Sequence, residues 1–197
     1  MLSGSRPDSV RSAALARGPV AQLCDAVACI LLAVLAVIVS LTFADYGLGW
    51  DDYTHSQYGQ LLLDYYASGF ADRRALTFVN LYMYGGGLDM LAALIAKVLP
   101  FDLFETRRLV GSVVGIAAMI IVWRLARRLS GPVSGLIALL LIAATPLFYG
   151  HMFINAKDAP FAMAMTLLLL GLVRALDEYP RPGVATVAIF GLGLGLA

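Results

Sequence analysis

The feature that most constrains this chain is a series of apolar runs, each close to the length that crosses a lipid bilayer. The first run, 26–44, contains no charged residue. Four later segments are also rich in apolar residues: about 77–99, 108–126, 132–150 and 159–175. A transmembrane helix needs about 20 such residues, and 60% of this sequence is hydrophobic while only 14% is charged. The chain is therefore predicted to be an all-α, polytopic integral membrane protein.

The positive-inside rule chooses between two topologies. If every apolar segment crossed the membrane, Asp51 and Asp158 would lie on opposite sides, and the arginine-rich stretch 124–128 would lie outside. Cytoplasmic loops normally carry such positive charge. If 77–99 does not cross, the conflict disappears and both acids lie on the outer face. The rule therefore favours a topology in which 77–99 stays on one side.

The segment 77–99 has features of an interfacial helix. Three successive glycines interrupt it, and Asp89 and Lys97 fall within it. The stretch 53–67 carries tyrosines and leucines at helical spacing with polar residues opposite. Both segments are predicted to lie along the membrane surface. They would form part of a long first outer loop, 45–107.

The remaining boundaries complete the predicted organisation. Residues 1–23 are predicted to be a disordered cytoplasmic tail, and 24–197 the N-terminal part of a transmembrane domain. This part would hold about five transmembrane helices, with 146–160 as the second outer loop. The last apolar segment is too short to cross a bilayer, so the domain is expected to continue beyond residue 197. The net charge of +1, without a long basic tract, does not indicate a nucleic-acid partner.

Carboxylates beside the apolar runs are the first candidates for a site. Asp51 and Asp52 follow the first run, and Asp158, preceded by Lys157, adjoins a later one. Acids at a membrane boundary are costly to place unless they face water, a cation or a substrate. Each has a structural alternative: Asp51 or Asp52 as a helix N-cap, and Lys157 with Asp158 as a local ion pair. Arg108, which opens another run, is either a phosphate ligand or a snorkelling side chain.

Three stretches, taken in order, resemble a known family. They are Trp-Asp-Asp-Tyr at 50–53, Glu-Thr-Arg-Arg-Leu at 105–109, and the segment 146–161 with Asn-Ala-Lys-Asp-Ala-Pro near its end. Together they resemble the glycosyltransferase C superfamily, in particular its family 39-like branch of protein O-mannosyltransferases and aminoarabinose transferases. The likeness covers about residues 26–178. Asp52 departs from the family pattern, which usually has glutamate there.

The resemblance implies an enzyme that moves a sugar from a polyprenyl-phosphate donor to an acceptor hydroxyl, at the outer face of a bacterial inner (plasma) membrane. Its partners would be the lipid-linked donor, a protein or glycolipid acceptor, and membrane lipids. Asp51 would be the catalytic base, since the resemblance places that role on the first acid of the pair. Asp52 would raise the proton affinity of the pair, and Asp158 would assist. Lys157 and Arg108 would hold the departing phosphate.

A metal and two other classes of function stay open. Three carboxylates with His55 or His151 would suffice for a hard or borderline cation, and both histidines are otherwise expected to be interfacial side chains. The resembling family has metal-dependent and metal-independent branches, so a divalent cation is undecided, with Asp51 and Asp158 as candidate ligands. A transporter would use the outer-face acids as an ion or substrate site, although its ionisable residues should lie near mid-membrane. A non-catalytic scaffold is the third possibility.

Overall fold

A computed structural model describes residues 18–155 and 157–197. Within these residues there are eight α-helices and no β-strand. In chain order the helices are α1 Pro19–Thr42, α2 Asp52–Ala67, α3 Gly87–Ile95, α4 Leu103–Ser130, α5 Pro132–Ala143, α6 Pro146–Ile154, α7 Asp158–Asp177 and α8 Val184–Leu196. Short 3₁₀ turns lie at Phe43–Asp45, Arg74–Thr77 and Leu81–Met83. The predicted all-α class is confirmed for the described part of the chain.

Three helical segments are long and apolar enough to cross a membrane: Pro19–Asp45, Leu103–Ser130 and Asp158–Asp177. The pair α5 and α6 makes a fourth if the two are counted together, although they meet at an angle of 63°. The protein is thus an integral membrane protein with three or four candidate spans in the described residues, and the predicted number of about five is not confirmed. The segment 132–150 was predicted as one span but bends before Pro146, because proline lacks an N–H and disfavours helical backbone at the preceding residue.

The segment 77–99 contains no helix long enough to span. Its longest helix is α3, with nine residues, which is about 13 Å at 1.5 Å per residue against a hydrocarbon thickness of about 30 Å. The prediction that 53–67 is helical agrees with α2 to within one residue. The membrane-surface position of both helices stays a prediction.

The predicted tail, 1–23, overlaps the beginning of α1. Residues 1–17 lie outside the described part of the chain. Gly18 is the N-cap of α1, and 19–23 belong to the helix, which begins at Pro19. Proline suits this first helical position because its fixed φ and missing N–H cost nothing there.

A capping box fixes the beginning of α4. The Asp102 carboxylate accepts from the Glu105 N–H at 2.7 Å, and the Glu105 carboxylate accepts from the Asp102 N–H at 3.1 Å. These bonds satisfy two donors that a helix start leaves without partners. Arg107 and Arg108 lie in the next turn, so the cap also sets their position.

Ion pairs join the helices at the end of the bundle that lies opposite the beginning of α4. Arg127 near the end of α4 donates to Asp25 of α1 through two nitrogens, each at 2.6 Å. Arg128 donates to Asp177 at the end of α7 at 2.7 Å. These contacts align α1, α4 and α7 side by side, so Asp51 and Asp158 emerge together at the other end.

Close contact between α4 and α6 forms part of the core. Met119, Leu139 and Met152 are buried together there. A Cβ on Gly111 would collide with the main-chain carbonyl of Met152. The glycine therefore lets α6 approach α4 closely, which brings the end of α6 to the acidic end of the bundle.

Candidate active site

A cleft of about 290 Å³ opens at the acidic end of the bundle. Three parts of the chain line it: the loop before α2 with the start of that helix, the end of α6, and the beginning of α7. The titratable side chains on its wall are Asp51, Asp52, His55, His151, Lys157 and Asp158. The structure thus brings together every sequence-predicted site residue except Arg108.

Asp51 is paired across the cleft with Lys157. Lys157 Nζ donates to Asp51 Oδ2 at 2.7 Å, and both side chains are partly exposed. This hydrogen bond, with the charge of the ammonium group, lowers the pKa of Asp51. Lys157 Nζ also lies 5.5 Å from the centroid of the Tyr84 ring, within cation–π range. The alternative of a local Lys157–Asp158 pair is wrong.

Asp52 has a different environment from its neighbour. It is buried, accepts a hydrogen bond from the Gly49 N–H at 2.6 Å, and has Arg107 Nε 3.9 Å from its Oδ1. Burial raises the pKa of Asp52 above its ordinary value. We expected Asp52 to raise the proton affinity of the pair, but the pKa of Asp51 is lowered because Lys157 dominates its surroundings.

Neither acid of the pair caps α2 through its side chain. Asp51 occupies the N-cap position, but its side chain forms no capping hydrogen bond. Asp52 is the first helical residue, and its carboxylate reaches back to Gly49 rather than forward into the helix. The capping alternative therefore does not account for either carboxylate.

Gly49 holds the acidic loop against the end of α6. A Cβ built on Gly49 would collide with the main-chain carbonyl of Ile154. Any larger residue would have to displace this contact, and Asp52 would move with it. The absence of a side chain at Gly49 therefore allows the acidic loop to contact the end of α6.

Beneath the cleft lies a buried charge network that the sequence interpretation missed. Asp89 of α3 accepts from His55 Nδ1 at 2.7 Å and from Arg107 Nη1 at 3.0 Å, and all three side chains are almost fully buried. Removing one partner from a buried ion pair typically costs about 3–5 kcal/mol, since the other charge stays uncompensated. The network therefore fixes α2, α3 and α4 relative to one another.

The sequence does contain a signal for this network. Asp89 lies in an apolar segment, where an ionisable residue requires a partner. We interpreted it only as an interruption of helix 77–99. His55, expected at the membrane interface, is instead buried at 3% exposure.

Arg108 is also buried, with 8% of its surface exposed. It forms no ion pair with any described residue, and its Nε has no hydrogen-bond partner among them. Burial raises the pKa of Asp52, and the positive charge of Arg108 acts in the opposite direction. A snorkelling arginine would extend towards water, so the snorkelling alternative does not fit this inward position.

Asp158 is held by Asn155. Asn155 Nδ2 donates to Asp158 Oδ2 at 2.9 Å, and Asn155 Oδ1 accepts from the N–H groups of Lys157 and Asp158 at 3.0 and 2.8 Å. These bonds tie the beginning of α7 into one turn. Asp158 therefore lines the cleft while Lys157 remains directed towards Asp51.

The possible metal site has no preformed counterpart in the described residues. Among them, no group of three or more histidine, cysteine, aspartate or glutamate side chains is placed to hold a metal ion. The candidate ligands Asp51 and Asp158 both line the cleft, but each is hydrogen-bonded to another side chain.

Comparison with known proteins decides the family. The model of the dolichyl-phosphate-mannose-protein mannosyltransferase family matches residues 87–196, more than half of the chain. The chain belongs to this family. As a dolichyl-phosphate-mannose-protein mannosyltransferase family member, it is a membrane glycosyltransferase of the glycosyltransferase C type, as the sequence motifs suggested. No curated protein and no solved structure matches it.

The mannosyltransferase family match covers only part of the cleft. It contains Asp89, Arg108, Lys157 and Asp158. It begins after the acidic pair at 51–52, so the roles of those two acids depend on the geometry described above and on the sequence motif.

Proposed function

We propose that this protein transfers a sugar from a polyprenyl-phosphate donor to an acceptor hydroxyl, in the cleft between Asp51 and Lys157. One observation carries the proposal: a carboxylate and an ammonium group from distant parts of the chain meet at 2.7 Å on the wall of a cleft. Such a transfer needs a group that takes the hydroxyl proton and positive charge that holds the departing phosphate. The cleft offers both.

Donor binding would separate the Asp51–Lys157 pair. An anionic phosphate competes with Asp51 for the Lys157 ammonium group, and phosphate is a strong acceptor of charge-assisted hydrogen bonds. Lys157 is 36% exposed at its side chain and can turn to the phosphate without unfolding its surroundings. Asp51 then loses the partner that lowers its pKa and becomes a better base. The base is thus activated when the donor is present.

The proposed transfer assigns one step to each of these side chains. Asp51 takes the proton from the acceptor hydroxyl while that oxygen forms a bond to the anomeric carbon of the sugar. The bond from the anomeric carbon to the phosphate oxygen breaks, and its electron pair leaves with the lipid phosphate. Lys157 and Arg108 stabilise the negative charge on this phosphate. A buried guanidinium without a carboxylate partner suits this role, because it presents several donors in a fixed plane.

The two other acids have supporting roles in this proposal. Asp52 holds the loop through Gly49 and faces Arg107, so it keeps Asp51 in position. Asp158 holds the turn that directs Lys157. A divalent cation is not required by any of these steps, and Asp51 and Asp158 remain the candidate ligands if one binds with the donor.

We propose that the cleft faces the outer side of a bacterial plasma membrane. The arginines at the opposite end of the bundle, at 124–128, agree with a cytoplasmic location under the positive-inside rule. The family description supports a lipid-linked sugar donor and a protein acceptor. A glycolipid acceptor remains the alternative within the same reaction.

A transporter is not favoured. A transport site is expected near mid-membrane between broken helices, whereas the acids here lie at the beginnings of α2 and α7. Membership of a glycosyltransferase family also supports the enzyme over a transporter or a scaffold.

The proposal is tested by turnover of a mannosyl polyprenyl phosphate by the full-length protein in proteoliposomes, with Asp51→Asn as the decisive variant. Asparagine keeps the size of the side chain and cannot take a proton. Loss of a general base typically lowers the rate by 10²- to 10⁴-fold, so this variant should be nearly inactive. Asp52→Asn should be affected less, since its amide oxygen can still accept from Gly49. Full activity of Asp51→Asn at normal expression would remove Asp51 from the mechanism.

A further inference from the structure

His55 lines the cleft and has a ring nitrogen without a partner among the described residues. Its Nδ1 is bonded to Asp89, while its Nε2 is buried and has no hydrogen-bond partner among the described residues. The side chain belongs to the lining of the cleft that contains Asp51 and Lys157. Buried polar atoms are nearly always hydrogen-bonded, and each exception needs an explanation.

The partners of Asp89 determine which nitrogen of His55 carries the hydrogen. Asp89 also accepts from Arg107, so its carboxylate acts as an acceptor on both sides. A carboxylate only accepts, so His55 Nδ1 must donate to it. In a neutral imidazole the other nitrogen, Nε2, then has a free lone pair.

We propose that His55 Nε2 is a hydrogen-bond acceptor for a substrate hydroxyl, and that Asp89 is the positioning residue that orients it. This inference rests on the proposed transferase function and adds a recognition contact to it. A lone pair on this cleft-lining side chain accepts from a donor such as a sugar hydroxyl, and it does not recognise the phosphate, whose oxygens are acceptors. A substrate must displace the side chains that cover Nε2 to reach it, since the atom has almost no exposed surface.

The hydroxyl belongs either to the donor sugar or to the acceptor. The two sources share the same chemistry and differ in which Michaelis constant they affect. Loss of a contact that is equally strong before and during the reaction raises KM and leaves kcat unchanged. A change in the KM of the donor alone assigns the hydroxyl to the sugar, and a change in the KM of the acceptor alone assigns it to the acceptor.

Two substitutions of His55 separate binding from structure. Asparagine places an amide nitrogen near the position of Nδ1 and can still donate to Asp89, but it has no atom at the position of Nε2. Glutamine reaches towards the position of Nε2 with a polar atom and loses the bond to Asp89. Gln57→Ala is the matched control, because Gln57 is exposed on the same helix.

The proposal predicts that His55→Asn raises the KM of one substrate by about tenfold, the usual size of one lost hydrogen bond with its unpaired partner. The KM of His55→Gln for that substrate should stay within about threefold of the wild-type value. The KM of Gln57→Ala should equal the wild-type value. Asp89→Asn should raise the KM of the same substrate, whereas a merely structural role would lower the yield of folded protein and leave that KM unchanged.

The inference would be overturned if the two His55 variants had the opposite effects. If His55→Asn retains wild-type constants while His55→Gln loses folded protein, His55 serves only to hold Asp89. That result leaves the proposed function intact, because the wild type still turns over the donor. If the wild type transfers no sugar from any polyprenyl phosphate offered, the proposed function fails, and the His55 contact fails with it.

Discussion

Lys157 Nζ lies 2.7 Å from Asp51 Oδ2, although the two residues are 106 positions apart in the chain. This contact joins the loop after α1 to the beginning of α7. The pKa of Asp51 therefore depends on whether Lys157 is bonded to Asp51 or to another anionic group.

The first prediction concerns the pH dependence of Lys157→Met. Lys157 lowers the pKa of Asp51, so the carboxylate stays ionised to a lower pH than an ordinary aspartate. A base is active when ionised, and kcat/KM therefore falls as the pH drops through this pKa. Removing Lys157 raises the pKa, so the acidic limb of the kcat/KM profile should shift to higher pH.

A control separates this effect from a general loss of positive charge. Lys97 is exposed and forms no ion pair within the described residues. Lys97→Met should leave the acidic limb in place. If the acidic limb of the kcat/KM profile of Lys157→Met stays at the wild-type pH, Asp51 is not the base. This holds even if the maximum value of kcat/KM falls.

The second prediction concerns Arg108→Gln. A charge-assisted hydrogen bond to phosphate is worth about 1.5–3 kcal/mol, which is roughly ten- to hundredfold in kcat/KM. We expect a loss of this size with the lipid donor. The protein should remain folded in detergent, because Arg108 pairs with no described carboxylate. Arg73→Gln, at an exposed position in the loop before α3, should have wild-type kinetics.

The third prediction uses two glycines of one loop. Gly49→Ala should lower activity, because the added Cβ would collide with the Ile154 carbonyl and displace Asp52. Gly47→Ala should have little effect, since nothing lies within 4 Å of its Cβ position. The measurement is sugar transfer by both variants at equal protein concentration. Equal activities would show that the loop tolerates displacement from α6.

The fourth prediction concerns sidedness. In a background with both cysteines replaced, Trp50→Cys and Asp158→Cys should react with an impermeant thiol reagent added from the outside. Leu129→Cys should not react. Trp50, Leu129 and Asp158 are all exposed in the structure, so access depends on the side of the membrane. Labelling of the cysteines at 50 and 158 only from the cytoplasmic side would show that the protein has the reverse of the proposed orientation.

The sequence was sufficient for the residues that lie beside apolar runs. Asp51, Asp52, Lys157 and Asp158 stand out because charge at the end of a hydrophobic stretch needs an explanation. The positive-inside rule then places the acids at the same end of the bundle. The helix α2 was predictable from its periodic tyrosines and leucines.

The sequence could not give the partners of these charges. Arg107 and Arg108 are adjacent, and only the phase of α4 shows that Arg107 reaches Asp89 while Arg108 does not. The Lys157–Asp51 pair was missed because an adjacent acid, Asp158, offered a simpler partner. The bend within 132–150 was missed because hydropathy does not register a change of helix direction.

The 63° bend before Pro146 determines where the end of α6, which lines the cleft, is placed. The nine residues of α6 make a rod of about 13 Å. At this angle the rod advances only about 6 Å along the direction of α5 and about 12 Å sideways. The chain therefore turns sideways at this end of the bundle, and Lys157, which follows α6 and precedes α7, meets Asp51 there. Straightening the helix would lift the ammonium group away from the carboxylate even if no residue of the cleft were changed.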